Sequence, residues 1–320
     1  MHDTADPLDA PDPLGFLVIG ECVADIVRLP HEADRVHPGG SPANVAYGLA
    51  RLGRCSTLLT QLGPDDGGRL IADHLTSAGV VLRTDGSTAP TPAASVALDA
   101  GGRPAYTFDI TWTLSAVVPE RPPHHVHTGS IAAVMEPGAA TVVAAVESLR
   151  TTATVSYDPN VRPALMGDHA TAVRRVERCV ALSDVVKASD EDLDWLYPGR
   201  STESVAAEWL ATGGPALVLV TLGADGALAF TPGARAVVGA PRTEVVDTVG
   251  AGDAFMSGAL HALAAHGLLG SAGRAGLHAI DPVTVTDVLR HAAASAALTV
   301  ARAGANPPDA RELHAALPRV

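Results

Sequence analysis

Residues 39–53, Gly39-Gly-Ser-Pro-Ala-Asn-Val-Ala-Tyr-Gly-Leu-Ala-Arg-Leu-Gly53, spell out a helix together with both of its ends. Ser41 carries a hydroxyl suited to the cap and Pro42 suits the first helical position. Val45, Leu49 and Leu52 fall on one face, and Gly53 ends the helix. Short β-branched runs flank it, GFLVIG (15–20) and STLLTQLG (56–63), so the stretch reads as the crossover of a βαβ unit. The alternation continues outward. A helix is expected around Gly68 to Ala78, then extended HHVHTGSI (124–131), a helix from about Pro137 to Leu149, and extended ATVSYDPN (153–160). A helix near Ala170 to Ala181, an extended run from Asp184 to Lys187, and the strands LVLVTLG (217–223) and ALAFTP (227–232) complete an α/β fold with a mostly parallel sheet.

Two stretches break this rhythm. Ala93 to Phe108 (AASVALDAGGRPAYTF) alternates around Gly101-Gly102, which signals a hairpin, and Ala24 to Arg35 also reads as extended. Together they predict a small β lid, built from segments 24–38 and 90–112, over the carboxyl ends of the strands, where open α/β sheets bind ligands. Tyr106 and Phe108 in this lid could stack on a ligand or cover the lid's own core. Residues 1–14, rich in Asp and Pro, predict a disordered leader ahead of one domain at 15–320. No internal repeat is visible.

Composition narrows the function. With 22 basic and 35 acidic residues the chain carries a net charge of −13, which disfavours nucleic acid as a partner. Cys22, Cys55 and Cys179 show no CxxC spacing, so neither a disulfide framework nor a zinc ribbon is expected. No apolar run approaches the roughly 20 residues of a membrane span, and the acidic amino terminus is unlike a signal peptide. A soluble, cytoplasmic protein is the expectation. His124, His125 and His127 imitate a metal cluster, but their spacing on an extended segment cannot aim all three at one ion. The chain has one lysine, Lys187, outside any Walker-type loop, so phosphate binding is assigned to backbone amides or arginine.

The sharpest chemical signal is Asp247-Thr-Val-Gly-Ala-Gly-Asp-Ala-Phe255. Small residues at Gly250, Ala251 and Gly252 let consecutive amides approach a ligand where a helix begins, and a helix amino end suits the charge growing on a transferred phosphoryl group. Asp253, in the same first turn, is expected to stay ionised and to accept a proton from an alcohol. Read structurally, the segment is a glycine turn capped by Asp253. Likewise Gly39, Gly40 and Asn44 suit backbone approach to a polyol, or simply a helix entry.

Together the two segments resemble the amino-terminal and carboxy-terminal signatures of the ribokinase-like (PfkB) carbohydrate kinase family. Gly63–Gly68 (GPDDGG), Thr221–Gly226 (TLGADG) and Arg302–Pro307 (RAGANP) fall in that family's order, so the resemblance spans nearly the whole chain. It implies a three-layer α/β/α domain with a β lid. It implies Asp253 as the base, Gly250, Ala251 and Gly252 as anion hole, Asp25 as a hydroxyl-binding aspartate, and Gly39, Gly40 and Asn44 as the sugar floor. Thr221, Gly223 and Gly226 match the loop lining the nucleotide, and Ala294 to Gly304 the adenine wall. Asp25 could instead be a turn residue, and TLGADG an ordinary strand end. Where the family usually shows Asn-x-x-Glu, this chain has Ser189-Asp-Glu-Asp192, so Asp192 is expected to reach magnesium through water, with Glu191 as a substitute and an acidic helix start as the structural alternative. Asp247 matches a position that helps hold a monovalent cation such as potassium in some members. It could equally cap the anion loop. Asp158-Pro-Asn-Val-Arg162 resembles a block common in fructokinases and 2-keto-3-deoxygluconate kinases, with Arg162 a clamp for phosphate or for a substrate carboxylate.

The resemblance therefore implies an ATP-dependent, magnesium-requiring carbohydrate kinase, with fructose as leading substrate, ribose, 2-keto-3-deoxygluconate and nucleosides as alternatives, and the lid as a candidate homodimer surface. A catalytically silent sugar or nucleotide sensor on the same fold is the rival from another class. A dehydrogenase is disfavoured because no GxGxxG follows the first strand.

Overall fold

The computed structural model describes residues 15–28, 33–98, 104–115 and 122–317, so the leader and the Gly101-Gly102 turn lie outside the described residues. The strands are β1 (Phe16–Ile19), β2 (Val23–Arg28), β3 (Arg35–Gly39), β4 (Ser56–Thr60), β5 (Val81–Thr84), β6 (Ala93–Leu98), β7 (Pro104–Asp109), β8 (His125–Gly129), β9 (Thr154–Asp158), β10 (Val185–Ser189), β11 (Leu217–Thr221), β12 (Ala227–Phe230) and β13 (Arg235–Val238). The helices are α1 (Ser41–Arg51), α2 (Asp66–Ser77), α3 (Gly138–Leu149), α4 (His169–Leu182), α5 (Asp190–Leu196), α6 (Thr202–Ala211), α7 (Ala251–Ala265), α8 (Gly270–His278), α9 (Pro282–Val300) and α10 (Ala310–Ala316).

Nine strands form one sheet in the order β13-β12-β11-β10-β9-β8-β1-β4-β5, parallel from β11 to β5, with β12 and β13 running antiparallel at one edge. Period-two side-chain alternation sorts the sheet between two helical layers. Phe16 and Val18 of β1, with Leu217 and Leu219 of β11, pack beneath α1, α7 and α9, while Leu17 and Ile19 turn to Val142 and Val146 of α3. Val218 and Val220 face the layer built from α4, α5 and α6, around Trp209. The expected three-layer α/β/α domain is what the chain forms.

The lid is a second sheet, in the order β3-β2-β6-β7. Its β6–β7 hairpin pairs Ala94 with Phe108 and Val96 with Tyr106, as the alternation predicted. The GPDDGG block ties the lid to the body. Asp65 caps α2 by accepting the Gly68 N–H at 2.8 Å, and the same carboxylate accepts the N–H and hydroxyl of Thr91, which leads into β6. Desolvation is the largest single effect on the Asp65 carboxyl and raises it, but those three donors together outweigh it and hold the group below the usual carboxylate range. Among the described residues no helix is long and apolar enough to cross a membrane.

Candidate active site

Parallel strands deliver their carboxyl ends to one edge of the sheet, and the candidate site side chains lie toward it. β1 leads to Glu21, β9 to Asp158 and Arg162, β10 to Lys187 and Asp192, and β11 to Thr221, while α1 and α7 present their amino ends to the same edge.

The centre is Asp253, on the first turn of α7. Its carboxylate is buried and accepts the Ser41 hydroxyl at Oδ1 (2.6 Å) and the Asn44 amide at Oδ2 (2.8 Å), two donors from α1 that lie more than 200 residues away in sequence. Burial pushes its pKa up, opposed by Ser41 and Asn44 and then by the charges of Lys187 and Arg162. This differs from the sequence expectation of a carboxylate held ionised by the helix end alone: enclosure is the largest effect, and the donors and cations counter it.

Ser41 is a related correction. The cap of α1 is Gly40, at φ +102, because a Cβ there would stand 2.5 Å from the Glu21 carbonyl oxygen, and only glycine fits such a turn. Ser41 becomes the first helical residue, with Pro42 second, and its hydroxyl is free to turn to Asp253. Gly39 is equally constrained, since a Cβ would lie 2.1 Å from Asp25 Oδ2. The glycine pair thus seats Asp25 and the chain turn beside it. Burial raises the Asp25 pKa to about 6, with His37 and Arg162 pulling the other way.

At the start of α7, Gly250 adopts the left-handed conformation (φ +76) and no side chain caps the helix. The Ala251 amide turns back to the Thr248 carbonyl at 3.2 Å, whereas the amides of Gly250, Gly252 and Asp253 meet no acceptor among the described residues. The unpaired amides of this turn are therefore those of Gly250, Gly252 and Asp253, and not that of Ala251. Asp247 braces the turn: Oδ1 accepts the Val249 N–H (3.0 Å) and Oδ2 the Gly304 N–H (2.8 Å), which holds its pKa low and ties the RAGANP segment to the loop.

Asp192 is more deeply engaged in the backbone than its sequence reading implied. It closes a capping box with Ser189, accepting the Ser189 N–H at 2.8 Å, and its other oxygen accepts the Val161 N–H at 2.8 Å, which fastens the DPNVR loop to α5. Arg162 is exposed and donates to the Val161 carbonyl at 2.9 Å, and its charge reaches Glu21, Asp25 and Asp253. Thr221 ends β11, Gly223 opens the turn after it, and Gly226 packs against the backbone of Val238 and Gly239. Ala294, expected beside the adenine, is buried with Leu52 and Leu313 in a small cluster against α10. Tyr106 and Phe108 are exposed and stacked, with ring centroids 6.4 Å apart, and they do not form a core for the lid.

The environments of three groups did not follow from the sequence. Glu21 is buried, accepts the Ala132 N–H at 3.1 Å, and is pushed by desolvation to a pKa of about 8. Lys187 makes a buried ion pair with Asp158, Nζ to Oδ2 3.0 Å. On the same sheet face His125 Nε2 and His127 Nδ1 both meet Ser156 Oγ at 2.8 Å, and burial depresses both imidazoles to about 3. The signal for Lys187 was present: a lysine in an apolar strand run, two residues from a strand's carboxyl end, is expensive to bury without a purpose. Among the described residues no group of three His, Cys, Asp or Glu side chains is placed to hold a metal ion.

Open amides at a helix end and a buried carboxylate within one turn of each other serve a growing negative charge and a departing proton together, the two demands of phosphoryl transfer to an alcohol. The pfkB family carbohydrate kinase model matches residues 15–311, and the chain belongs to that family. It is 36% identical over 263 residues to the fructokinase of Klebsiella pneumoniae, covering 78% of this chain and 85% of that enzyme. A fructokinase double mutant from Vibrio cholerae O395, solved with fructose, ADP and potassium ion bound, superposes with a TM-score of 0.80 at 30% identity, covering 96% of this chain and 99% of that one. The aminoimidazole riboside kinase of Salmonella enterica, solved with its nucleoside and an ATP analog, gives 0.75 at 26% identity, covering 94% and 99%.

Proposed function

We propose that the protein is an ATP-dependent fructokinase, transferring the γ-phosphoryl group to a primary hydroxyl of fructose. The observation that carries this reading is the Asp253 carboxylate, held by Ser41 and Asn44 beside the open amides of α7. Fructose lies on the floor made by Gly39, Gly40 and Asn44, with Asp25 accepting from its hydroxyls and the lid excluding water that would compete as acceptor. Asp253 takes the proton of the attacking hydroxyl. The Gly250, Gly252 and Asp253 amides receive the equatorial phosphoryl oxygens, with Ala251 shaping the turn between them. The nucleotide runs along Thr221, Gly223 and Gly226.

Magnesium, when bound, neutralises phosphate charge. Asp192 is assigned to it through water, because each carboxylate oxygen keeps a lone pair beyond its backbone bond. Asp247 is the candidate for a potassium ion, in keeping with the ion in the Vibrio cholerae fructokinase. A cytoplasmic location and a dimer formed through the exposed Tyr106–Phe108 face belong to the same proposal.

A coupled ADP-release assay with fructose, ribose, 2-keto-3-deoxygluconate and a purine nucleoside tests the reading. Fructose should give the highest kcat/KM. A preference for the acid sugar of more than about tenfold, lost in Arg162→Ala, would move the substrate to a carboxylate clamped by Arg162. ADP release with none of them would favour the silent sensor.

A further inference from the structure

We propose that Lys187 is a catalytic residue, donating its ammonium hydrogens to the phosphoryl group during transfer; the assignment rests on the kinase reading above. Three observations carry it. The Lys187 side chain is 4% exposed and that of its partner Asp158 is 1% exposed, so the charge is enclosed in the body of the protein. A Cβ placed on Gly252 would stand 3.0 Å from Lys187 Nζ, so the ammonium lies directly against the first turn of α7, in the gap that the glycine leaves open. Finally, an ammonium has three hydrogens, and only Asp158 accepts one of them among the described residues. Donor capacity left over at the anion hole is what a phosphoryl oxygen would use.

The charge balance agrees. Asp158, Asp192 and Asp253 all lie near enough to act on Lys187, and their pull outweighs its desolvation and keeps it protonated. Without a cation these carboxylates would repel the polyphosphate that must approach Asp253. Arginine supplies every other strong cation in the chain, so a lone lysine at this position points to a need for a compact point charge. In the step, the sugar oxygen forms its bond to the γ-phosphorus as the bond to the β,γ-bridging oxygen breaks. That electron pair leaves on ADP, and the sugar's proton passes to Asp253. Lys187 stays protonated throughout, its N–H bonds directed at the equatorial oxygens.

The test compares Lys187→Met and Lys187→Arg with the wild type on its best sugar, following kcat, the separate affinities for ATP and sugar by calorimetry, and thermal unfolding. A fourth readout is how tightly aluminium fluoride is captured by the enzyme with ADP and sugar, a mimic of the phosphoryl group in flight. Lys187→Met should bind ATP and sugar within about threefold of the wild type, lose kcat by about 100-fold or more, and lose the tight fluoride complex. Lys187→Arg should recover little, because a planar fork cannot occupy the slot beneath Gly252. Since Lys187→Met leaves Asp158 buried without a counter-charge, the double variant Lys187→Met/Asp158→Asn serves where the single variant does not fold. It should fold and remain as slow. Recovery of kcat in the double variant to within tenfold of wild type, or a fluoride complex of undiminished tightness in Lys187→Met, would show that Lys187 only balances Asp158. Failure of the kinase reading looks different: the wild type itself would release no ADP with any sugar.

Discussion

Gly250→Ala separates the anion loop's role in catalysis from its role in stability. Gly250 holds φ +76, and an added Cβ would sit 2.6 Å from Ala305 Cβ and 2.9 Å from Ala305 Cα. The left-handed conformation alone costs an alanine about 1–2 kcal/mol. At about 2–4 °C per kcal/mol for a domain of this size, strain lowers Tm by roughly 2–8 °C. The contact adds a displacement that nothing nearby absorbs, because the Gly304 amide beside Ala305 is held by Asp247 and the loop on the other side continues into α7. A shift of the open amides should therefore lower kcat by about 100-fold, the scale of losing one donor to a developing oxyanion. Gly267→Ala is the control. Gly267 has φ +68 with no atom within 4 Å of the added Cβ, and it lies just beyond the other end of α7, about 25 Å from Gly250 at the helical rise. It should lose a similar few degrees of Tm while kcat stays within about twofold. Steady-state ADP release and thermal melts of both variants decide the matter. A Gly250→Ala enzyme within tenfold of wild-type kcat, or a Gly267→Ala enzyme equally slow, would refute the anion-hole argument.

Ser41→Ala removes the 2.6 Å donor that counters burial of Asp253, so the base should hold its proton to higher pH. The acid limb of kcat/KM should move up, with the loss largest at low pH and recovering as pH rises; an equal loss at every pH would contradict this. Asp192→Ala frees the N–H groups of both Val161 and Ser189, and it should lower Tm and raise the magnesium needed for half-maximal rate at fixed ATP by about threefold or more. An unchanged magnesium titration would pass that role to Glu191.

The layers, the lid and the positions of the two signature segments were legible because they rest on local patterns: period-two strands, capped helices and glycine turns. β6 and β7 pair as Ala93–Phe108 predicted, and α3 and α4 begin and end within a residue or so of their expected bounds. What stayed hidden depends on contacts between distant residues. Ser41 looked like a cap because its partner lies on α7, and the conformation of Gly40, which displaces it from the cap, is imposed by the Glu21 backbone. Lys187 looked irrelevant to phosphate because no Walker loop surrounds it, yet strand register places it opposite Leu219 of β11 and the fold sets its ammonium under Gly252. Ala294 was carried over with a whole segment, and helix rotation, which that segment could not reveal, turns it toward Leu313.

The central claim is that Asp253 removes the proton of the sugar hydroxyl, and Asp253→Asn tests it most directly, since the amide keeps the size of the carboxylate and an oxygen for Ser41 but cannot act as the base. The measurement is kcat with saturating fructose, alongside calorimetric affinity for ATP. Turnover should fall by at least about 100-fold while ATP affinity stays within about threefold of the wild type. A fall of less than tenfold with the best sugar would contradict the account.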